Sequence, residues 1–188
     1  MSLFDTLAAR RETVLARWFD AIVKTYPGLS AVFLHKKHQF GNPVGVGISA
    51  GLAGVFDELL APCLGDRVAV QVENIMRIRS VQDFSPAQAA AVFFLLKPVV
   101  HEMCAGELAA GGLSDYLVLE SRIDALALMA FEAHSRFREQ LFEMRIADFK
   151  QRFSGLLRRH NIVCELPGAG PGLGEETSQA NLKRGKGQ

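Results

Sequence analysis

Between Arg77 and Lys97 the chain reads RIRSVQDFSPAQAAAVFFLLK, where a charged helix end is followed by a helix start and a dense apolar run. Ser85, Pro86 and Gln88 fit the N-cap, N1 and N3 positions of a capping box, because the hydroxyl can accept from the N3 amide and proline's missing N–H is harmless at N1. The spacing therefore predicts a helix that begins near Pro86. Its apolar run, residues 89–96, is far shorter than the roughly 20 residues that cross a bilayer, so we expect a core helix.

The sequence on both sides of this stretch has the same helical character. Apolar residues recur every three or four positions, Pro, Gly and Asn mark the ends, and no alternating strand pattern occurs, so we predict an all-α fold. We expect a loop over 106–112. Helices are expected over Ser2–Tyr26, Pro43 to about Cys63–Gly65, Val68 to about Val81, and Pro86 to about Cys104, and one or two helices from Asp115 to about His160. Asn42 and Ser114 are the expected caps, and Pro98 is expected to cause a bend or a local break.

The predicted helix after Asn42 contains four glycines, Gly45, Gly47, Gly51 and Gly54. Each costs a helix about 1 kcal/mol relative to alanine, which is tolerable when another group packs close against that face. We expect a crossing backbone there, with a bound ligand as the alternative.

The last predicted helix carries two apolar rows. Ile123, Ala130, Phe137 and Met144 repeat every seven residues, as in paired helices. A second row runs from Phe142 to Leu157 at helical spacing and needs a partner surface. The predicted dimer or partner face consists of Phe137, Leu141, Met144, Phe149, Phe153 and Leu157. We expect one helical domain over 1–160 and a disordered, Gly-rich tail over 161–188.

Composition excludes several classes of protein. Twenty-one basic and 20 acidic residues give a net charge of +1, so no general field recruits nucleic acid or anionic lipid. The three cysteines match no zinc or redox pattern, and the N-terminus lacks a signal peptide. We therefore expect a cytoplasmic protein without membrane insertion.

Catalytic chemistry leaves no recognisable signature in the sequence. We find no nucleophile with a base and no paired carboxylates, and the glycine-rich stretch lacks the strand and the G-K-[ST] of a phosphate loop. We therefore expect a protein that is not an enzyme. His101 and His134 lie on predicted helices and leave a haem or small-molecule binder as the alternative. His35 and His38 flank two lysines, whose charge disfavours a bound cation.

The densest polar cluster lies at the corner before Ser85. Arg79 and Asp83 are four residues apart, and a charge-assisted bond between them would lock the corner. We expect a fixed interhelical turn, with a ligand site as the alternative. With the two capped helix starts, the candidate structural or signalling motif comprises Asn42, Pro43, Gly45, Arg77, Arg79, Gln82, Asp83, Ser85 and Pro86.

These motifs resemble those of a known family. The chain has W-x-x-A-I at Trp18–Ile22, F-x-N-P-V-G at Phe40–Gly45, R-I-R-x-V-Q-D-F-S-P-x-Q-A at Arg77–Ala89 and F-x-L-K at Phe94–Lys97. Over about residues 4–143 it is similar to the N-terminal domain of the RsbT co-antagonist protein RsbRD. The resemblance implies a globin-like sensor domain that binds no haem, is usually dimeric and precedes a STAS domain in stressosome proteins.

The sequence shows no STAS domain after the long helix, so we expect a stand-alone form without that output. We accordingly predict a non-catalytic cytoplasmic sensor or regulatory domain in stress-response signal transduction, without cofactor. It would act as a homodimer and through contacts with an unidentified regulatory protein.

Overall fold

A computed structural model describes residues 2–26 and 42–159. Within these ranges every regular element is a helix and no strand occurs, which confirms the all-α prediction. The helices are α1 (Leu3–Ala9), α2 (Arg11–Val23), α3 (Pro43–Leu60), α4 (Arg67–Ser80), α5 (Pro86–Ala90), α6 (Leu96–Met103), α7 (Ala105–Ala109) and α8 (Leu113–Arg159). The predicted tail, 161–188, lies outside the described residues.

The first predicted helix is divided in two. Arg10 leaves helical geometry, with φ −101° and ψ 15°, and thereby separates α1 from α2. Leu7 before the break and Val14 after it are both buried, and their spacing of seven residues keeps them on one helical face. The apolar period thus continues through the break, which is why the pattern does not reveal it.

The helix predicted over Pro86–Cys104 is also divided, and the predicted bend at Pro98 is misplaced. The chain leaves α5 at Ala90 and passes through turns with amide bonds to the carbonyl three residues earlier, such as Phe93 N to Ala90 O at 3.1 Å. Pro98 lies within the first turn of α6, where its missing N–H costs nothing.

Two further boundaries differ from prediction. The segment expected to be a loop contains the short helix α7, followed by Gly111 in a left-handed turn at φ +103°. Helix α8 begins at Leu113, so Ser114 lies in its first turn and is not the N-cap. The long C-terminal helix itself is confirmed.

The described residues up to Ile146 form one compact unit, and those from Ala147 belong to a second. In the first unit, every helix except α7 contributes to a continuous apolar core. Trp18, in α2, is fully buried and donates from its indole N–H to the Val92 carbonyl at 2.8 Å. Helix α8 contributes Leu119, Ile123, Leu126 and Ala130 to this core.

Helix α4 packs closely on the glycine face of α3. A Cβ on Gly51 would lie 2.6 Å from Ile75 Cγ1, and one on Gly47 would lie 2.8 Å from Ile78 Cδ1. This confirms the expected crossing backbone. The side chains of α4 fill the space beside Gly47, Gly51 and Gly54.

Among the described helices only α3 is long and apolar enough to cross a membrane, with a mean hydropathy of 1.3. Its buried residues, among them Ile48, Leu52 and Phe56, belong to the core, and its glycine face contacts α4. These contacts identify it as a core helix.

Candidate functional site

The motif around Ser85 forms a fixed junction between α4 and α5. The Ser85 hydroxyl accepts from the Gln88 amide at 3.2 Å, and the Gln88 side chain accepts from the Ser85 amide at 3.0 Å. The predicted capping box is confirmed, with Pro86 in the first turn. The other predicted cap is confirmed too: Asn42 Oδ1 accepts from the Gly45 amide at 2.7 Å, and Pro43 starts α3.

Arg79 is the centre of this junction. Its side chain is completely buried, and one guanidinium nitrogen donates to the Tyr26 hydroxyl at 2.9 Å. Another lies 3.5 Å from the Gln88 carbonyl oxygen, at the limit of a hydrogen bond. The guanidinium also lies over the Phe84 ring, 4.0 Å from its centre, and 5.2 Å from the centre of the Tyr26 ring. Arg79, in α4, therefore contacts Tyr26 after the end of α2, Phe84 in the connection that follows α4, and Gln88 in α5.

The predicted bond between Arg79 and Asp83 does not form. Helix α4 ends at Ser80, so Asp83 does not continue the helical face that Arg79 occupies, and it is exposed in the turn. Arg77 is exposed as well, with its guanidinium 5.3 Å from the centre of the Phe137 ring. The structure therefore separates Arg77 and Asp83 from the buried side chain of Arg79.

Burial governs the electrostatics of the junction. It lowers the pKa of Arg79 and raises the pKa of Tyr26, although each group partly offsets the effect on the other. No described carboxylate forms an ion pair with Arg79, and its Nε and the Gln82 Oε1 are buried without hydrogen bonds. A buried guanidinium held by a phenol, a carbonyl and two rings is an anchor, and it provides no nucleophile or general base.

His134, on α8, lies beside this anchor. It is fully buried, and neither ring nitrogen forms a hydrogen bond. Burial has the largest effect and lowers the pKa of His134. The backbone of Arg79 opposes this effect, and the charges of Arg138 and Arg79 add smaller lowering effects. His101, the other helical histidine, is exposed and lies edge-on to Tyr116 at 6.3 Å. Among the described residues no three His, Cys, Asp or Glu side chains form a metal site.

Sequence reasoning missed Tyr26, Phe84 and His134 as neighbours of Arg79. Tyr26 ends the described N-terminal segment, 53 residues from Arg79, and only the folded chain brings them together. Phe84, five residues after Arg79, was the available signal, because aromatic faces stabilise a buried guanidinium.

Among the clefts on the described surface of the first unit, two are considered for a ligand. The larger, about 670 Å³, lies between the start of α1 and the α6–α7 region. Its charged groups are already engaged: Glu107 pairs with Arg10 at 3.6 Å, and Asp115 accepts from the Leu3 amide at 3.2 Å. The smaller, about 120 Å³, lies between α4 and α8. Neither cleft contains a convergent acid–base pair.

The residues of the predicted dimer face differ in their exposure to solvent. Phe137 is buried in the core of its own unit at 9% exposure, and Leu141 is half-buried. Met144 is 66% exposed. The heptad row of Ile123, Ala130 and Phe137 therefore packs inside the domain.

In the second unit, Phe149 and Phe153 are exposed by 66% and 41%, and their rings stack with centres 5.8 Å apart. The side chain of Leu157 lies outside the described part of the structure. Two exposed phenylalanines on one helix face provide an apolar contact surface.

The chain matches the model of a known protein family. The family model described as the RsbT co-antagonist protein rsbRD N-terminal domain matches residues 12–148. The match includes the Arg79 junction and most of α8. No curated protein and no solved structure matches the chain.

Proposed function

The chain belongs to the RsbT co-antagonist protein RsbRD N-terminal domain family, and on this premise we propose that it is a regulatory domain that acts through protein–protein contacts. It senses or relays a signal in a stressosome-type pathway and performs no catalysis. It works in the cytoplasm as a globin-like homodimer without haem, and a regulatory protein docks on it.

The exposed apolar surface of α8 carries this proposal. Phe142 and Phe149 point to the same side of the helix and are 63% and 66% exposed. Apolar surface of this kind on one element marks protein contact sites in soluble proteins. Arg79 at the junction, in contrast, is buried and holds helices together, which suits a domain that transmits changes in packing.

The dimer part of the proposal is tested by changing Phe149 and Phe153 to alanine together. Analytical ultracentrifugation of the full chain should show weaker self-association, because two exposed rings are removed from the contact surface. The matched control is Val81→Ala, since Val81 is 64% exposed but lies in the turn after α4. If the wild-type chain is monomeric, or if the double variant associates as the control does, this dimer face is refuted.

The alternative is a small-molecule or haem binder with its pocket at the glycine face of α3; the contacts of α4 with Gly47, Gly51 and Gly54 favour the regulatory proposal over it. A visible haem band or a retained ligand mass in the purified protein would restore that alternative and displace the proposal.

A further inference from the structure

His134, on the core face of α8, is a buried polar side chain that the anchor around Arg79 does not use. It is completely buried, and neither ring nitrogen forms a hydrogen bond. Buried polar groups are almost always paired, so an unpaired one calls for a physical reason. An apolar side chain of similar size would leave no polar atom unpaired here. What the imidazole adds is the ability to bind a proton near neutral pH.

The charged side chains that act on His134 are both cations. Arg79, near the end of α4, is completely buried, and Arg138 follows His134 by one turn of α8. The phenol of Tyr26 accepts from Arg79, and burial raises its pKa, so it carries no charge near neutral pH. No described carboxylate pairs with Arg79 or His134. A proton on His134 would therefore add a third positive charge that no described carboxylate offsets.

The polar contacts between the end of α4 and this part of α8 are weak. Arg138 lies 3.4 Å from the Ser80 carbonyl oxygen, near the limit of a hydrogen bond. Arg77, on α4, has its guanidinium 5.3 Å from the centre of the Phe137 ring. Both arginines are exposed, and water screens such contacts. Added repulsion at His134 therefore meets little resistance from these polar contacts.

Packing between α4 and α8 is also incomplete next to His134. The small cleft of about 120 Å³ between these helices is lined by Ala133, the residue before His134. Arg136 and Glu73 line the cleft as well and form an ion pair, but their side chains are 48% and 38% exposed. An ion pair with this exposure contributes little to stability.

The part of α8 that precedes His134 is held more firmly. Arg122 donates to two carbonyls just after α3, at 2.6 and 2.7 Å. Asp124 pairs with Lys97 at 2.7 Å. Three apolar residues of this part, Leu119, Ile123 and Leu126, are buried in the core. A charge at His134 should therefore displace only the part of α8 that follows it.

We propose that His134 senses acidification, and that uptake of a proton by its imidazole moves the part of α8 that follows it away from the end of α4. The proposal rests on the proposed function, because it names the signal that the regulatory domain receives. Phe142, two turns beyond His134, is 63% exposed on the same helix. Opening of α8 thus changes how the contact surface around Phe142 is held.

The proton linkage determines the size of the effect. In the open form the imidazole of His134 is hydrated and has its ordinary pKa of about 6.5. In the closed form burial, together with the charges of Arg138 and Arg79, lowers this pKa and keeps the ring neutral. One proton is then bound on opening, so the equilibrium constant for opening should rise about tenfold between about pH 7.5 and pH 5.5.

The test is hydrogen exchange of the full chain, measured on peptides by mass spectrometry. Each exchange rate is divided by the rate of the same amide in an unfolded chain at that pH. The amides of residues 134–146 should be less protected than those of α3, and their protection should fall about tenfold between about pH 7.5 and pH 5.5. In up to about 1 M urea their exchange should hardly change, because local opening exposes little surface, whereas exchange in α3 should accelerate.

Four variants show whether His134 is the group that binds the proton. His134→Gln should abolish the pH dependence of protection over 134–146, because glutamine does not titrate. His101→Gln, the control at the exposed histidine of α6, should retain it. Arg138→Gln should make the fall in protection smaller, because one of the charges that lower the pKa of His134 is removed, and Arg138→Lys should keep the wild-type response.

Two results overturn the inference. If the protection over 134–146 is the same at both pH values, or falls equally in His134→Gln, then His134 is not the sensor. If these amides have the protection and the urea dependence of α3, only global unfolding exposes them, and no local opening exists. Either result leaves the proposed regulatory function standing, since sedimentation of the Phe149 and Phe153 variant tests that function separately.

Discussion

Gly51→Ala tests the packing of α3 on α4. Alanine gains about 1 kcal/mol over glycine in a helix interior. The new Cβ, however, would lie 2.6 Å from Ile75 Cγ1, 3.1 Å from its Cδ1 and 3.6 Å from the Gln71 carbonyl oxygen. Ile75 is completely buried and cannot turn away into solvent. Overpacking of this kind costs about 1–3 kcal/mol, so we expect a net loss of about 1 kcal/mol.

Two control variants separate crowding from helix propensity. At Gly106 no heavy atom lies within 4 Å of an added Cβ, so Gly106→Ala should stabilise by about 0.5–1 kcal/mol. At Gly54 the crowding atoms belong to the partly exposed Gln71 side chain, which can move, so Gly54→Ala should fall between the other two.

The assay is urea unfolding followed by far-ultraviolet circular dichroism, with the free energy of unfolding extrapolated to water. Combining Gly51→Ala with Ile75→Ala should cost less than the sum of the single changes, because the deleted side chain is the one that the new methyl group meets. A Gly51→Ala variant as stable as Gly106→Ala would refute the close approach of the two helices.

Four further predictions concern the junction and its surroundings. Arg79→Met should lower the free energy of unfolding by about 2–4 kcal/mol, because it leaves the Tyr26 hydroxyl and the Gln88 carbonyl without their donor. Arg79→Lys should recover only part of this loss in the same urea assay. Equal stability of the wild type and both variants would contradict the role of Arg79 as an anchor. Burial lowers the pKa of His134, so on acidification this imidazole binds a proton in the unfolded chain before it does in the folded protein. The free energy of unfolding should therefore decrease as the pH falls below about 6.5. His134→Met should flatten this part of the plot of stability against pH, and an unchanged slope would count against a buried neutral imidazole. Ser85→Ala removes the capping box and should lower the free energy of unfolding by about 1 kcal/mol, seen as a lower melting temperature. Ser49→Ala, on the exposed side of α3, should leave the melting temperature nearly unchanged. Arg122→Ala should lower the free energy of unfolding by about 1–3 kcal/mol. The Arg122 guanidinium donates to the carbonyls of Ala61 and Pro62, just after α3, at 2.6 and 2.7 Å, and the variant loses these bonds. A variant that melts at the wild-type temperature would show that the bonds do not contribute to stability.

Local signals in the sequence account for much of the fold. The Ser85 and Asn42 caps act over three residues, so their chemistry can be read directly from the chain and is confirmed by the hydrogen bonds. The glycines of α3 indicated that some group packs close to the helix, and the structure shows that side chains of α4 lie there.

Long-range contacts could not be read in the same way. The partner of Arg79 was expected four residues away at Asp83, but the end of α4 at Ser80 removes the helical register on which that expectation depended. The phenol of Tyr26 takes its place across 53 residues of sequence.

The two rows of α8 illustrate a further limit. Periodicity shows that Phe137 and Phe142 lie on different faces, but it cannot say which face meets the protein's own core. Packing against the other helices buries Phe137 and leaves Phe142 exposed.

The measurement that bears most directly on the account is native mass spectrometry of the full chain purified without added ligands, with a visible absorption spectrum of the same sample. A colourless species at twice the chain mass of 20.6 kDa, without additional ligand mass, is the predicted result. A monomer at all concentrations, or a species that carries a haem band or a bound small molecule, would contradict the account of a cofactor-free regulatory dimer.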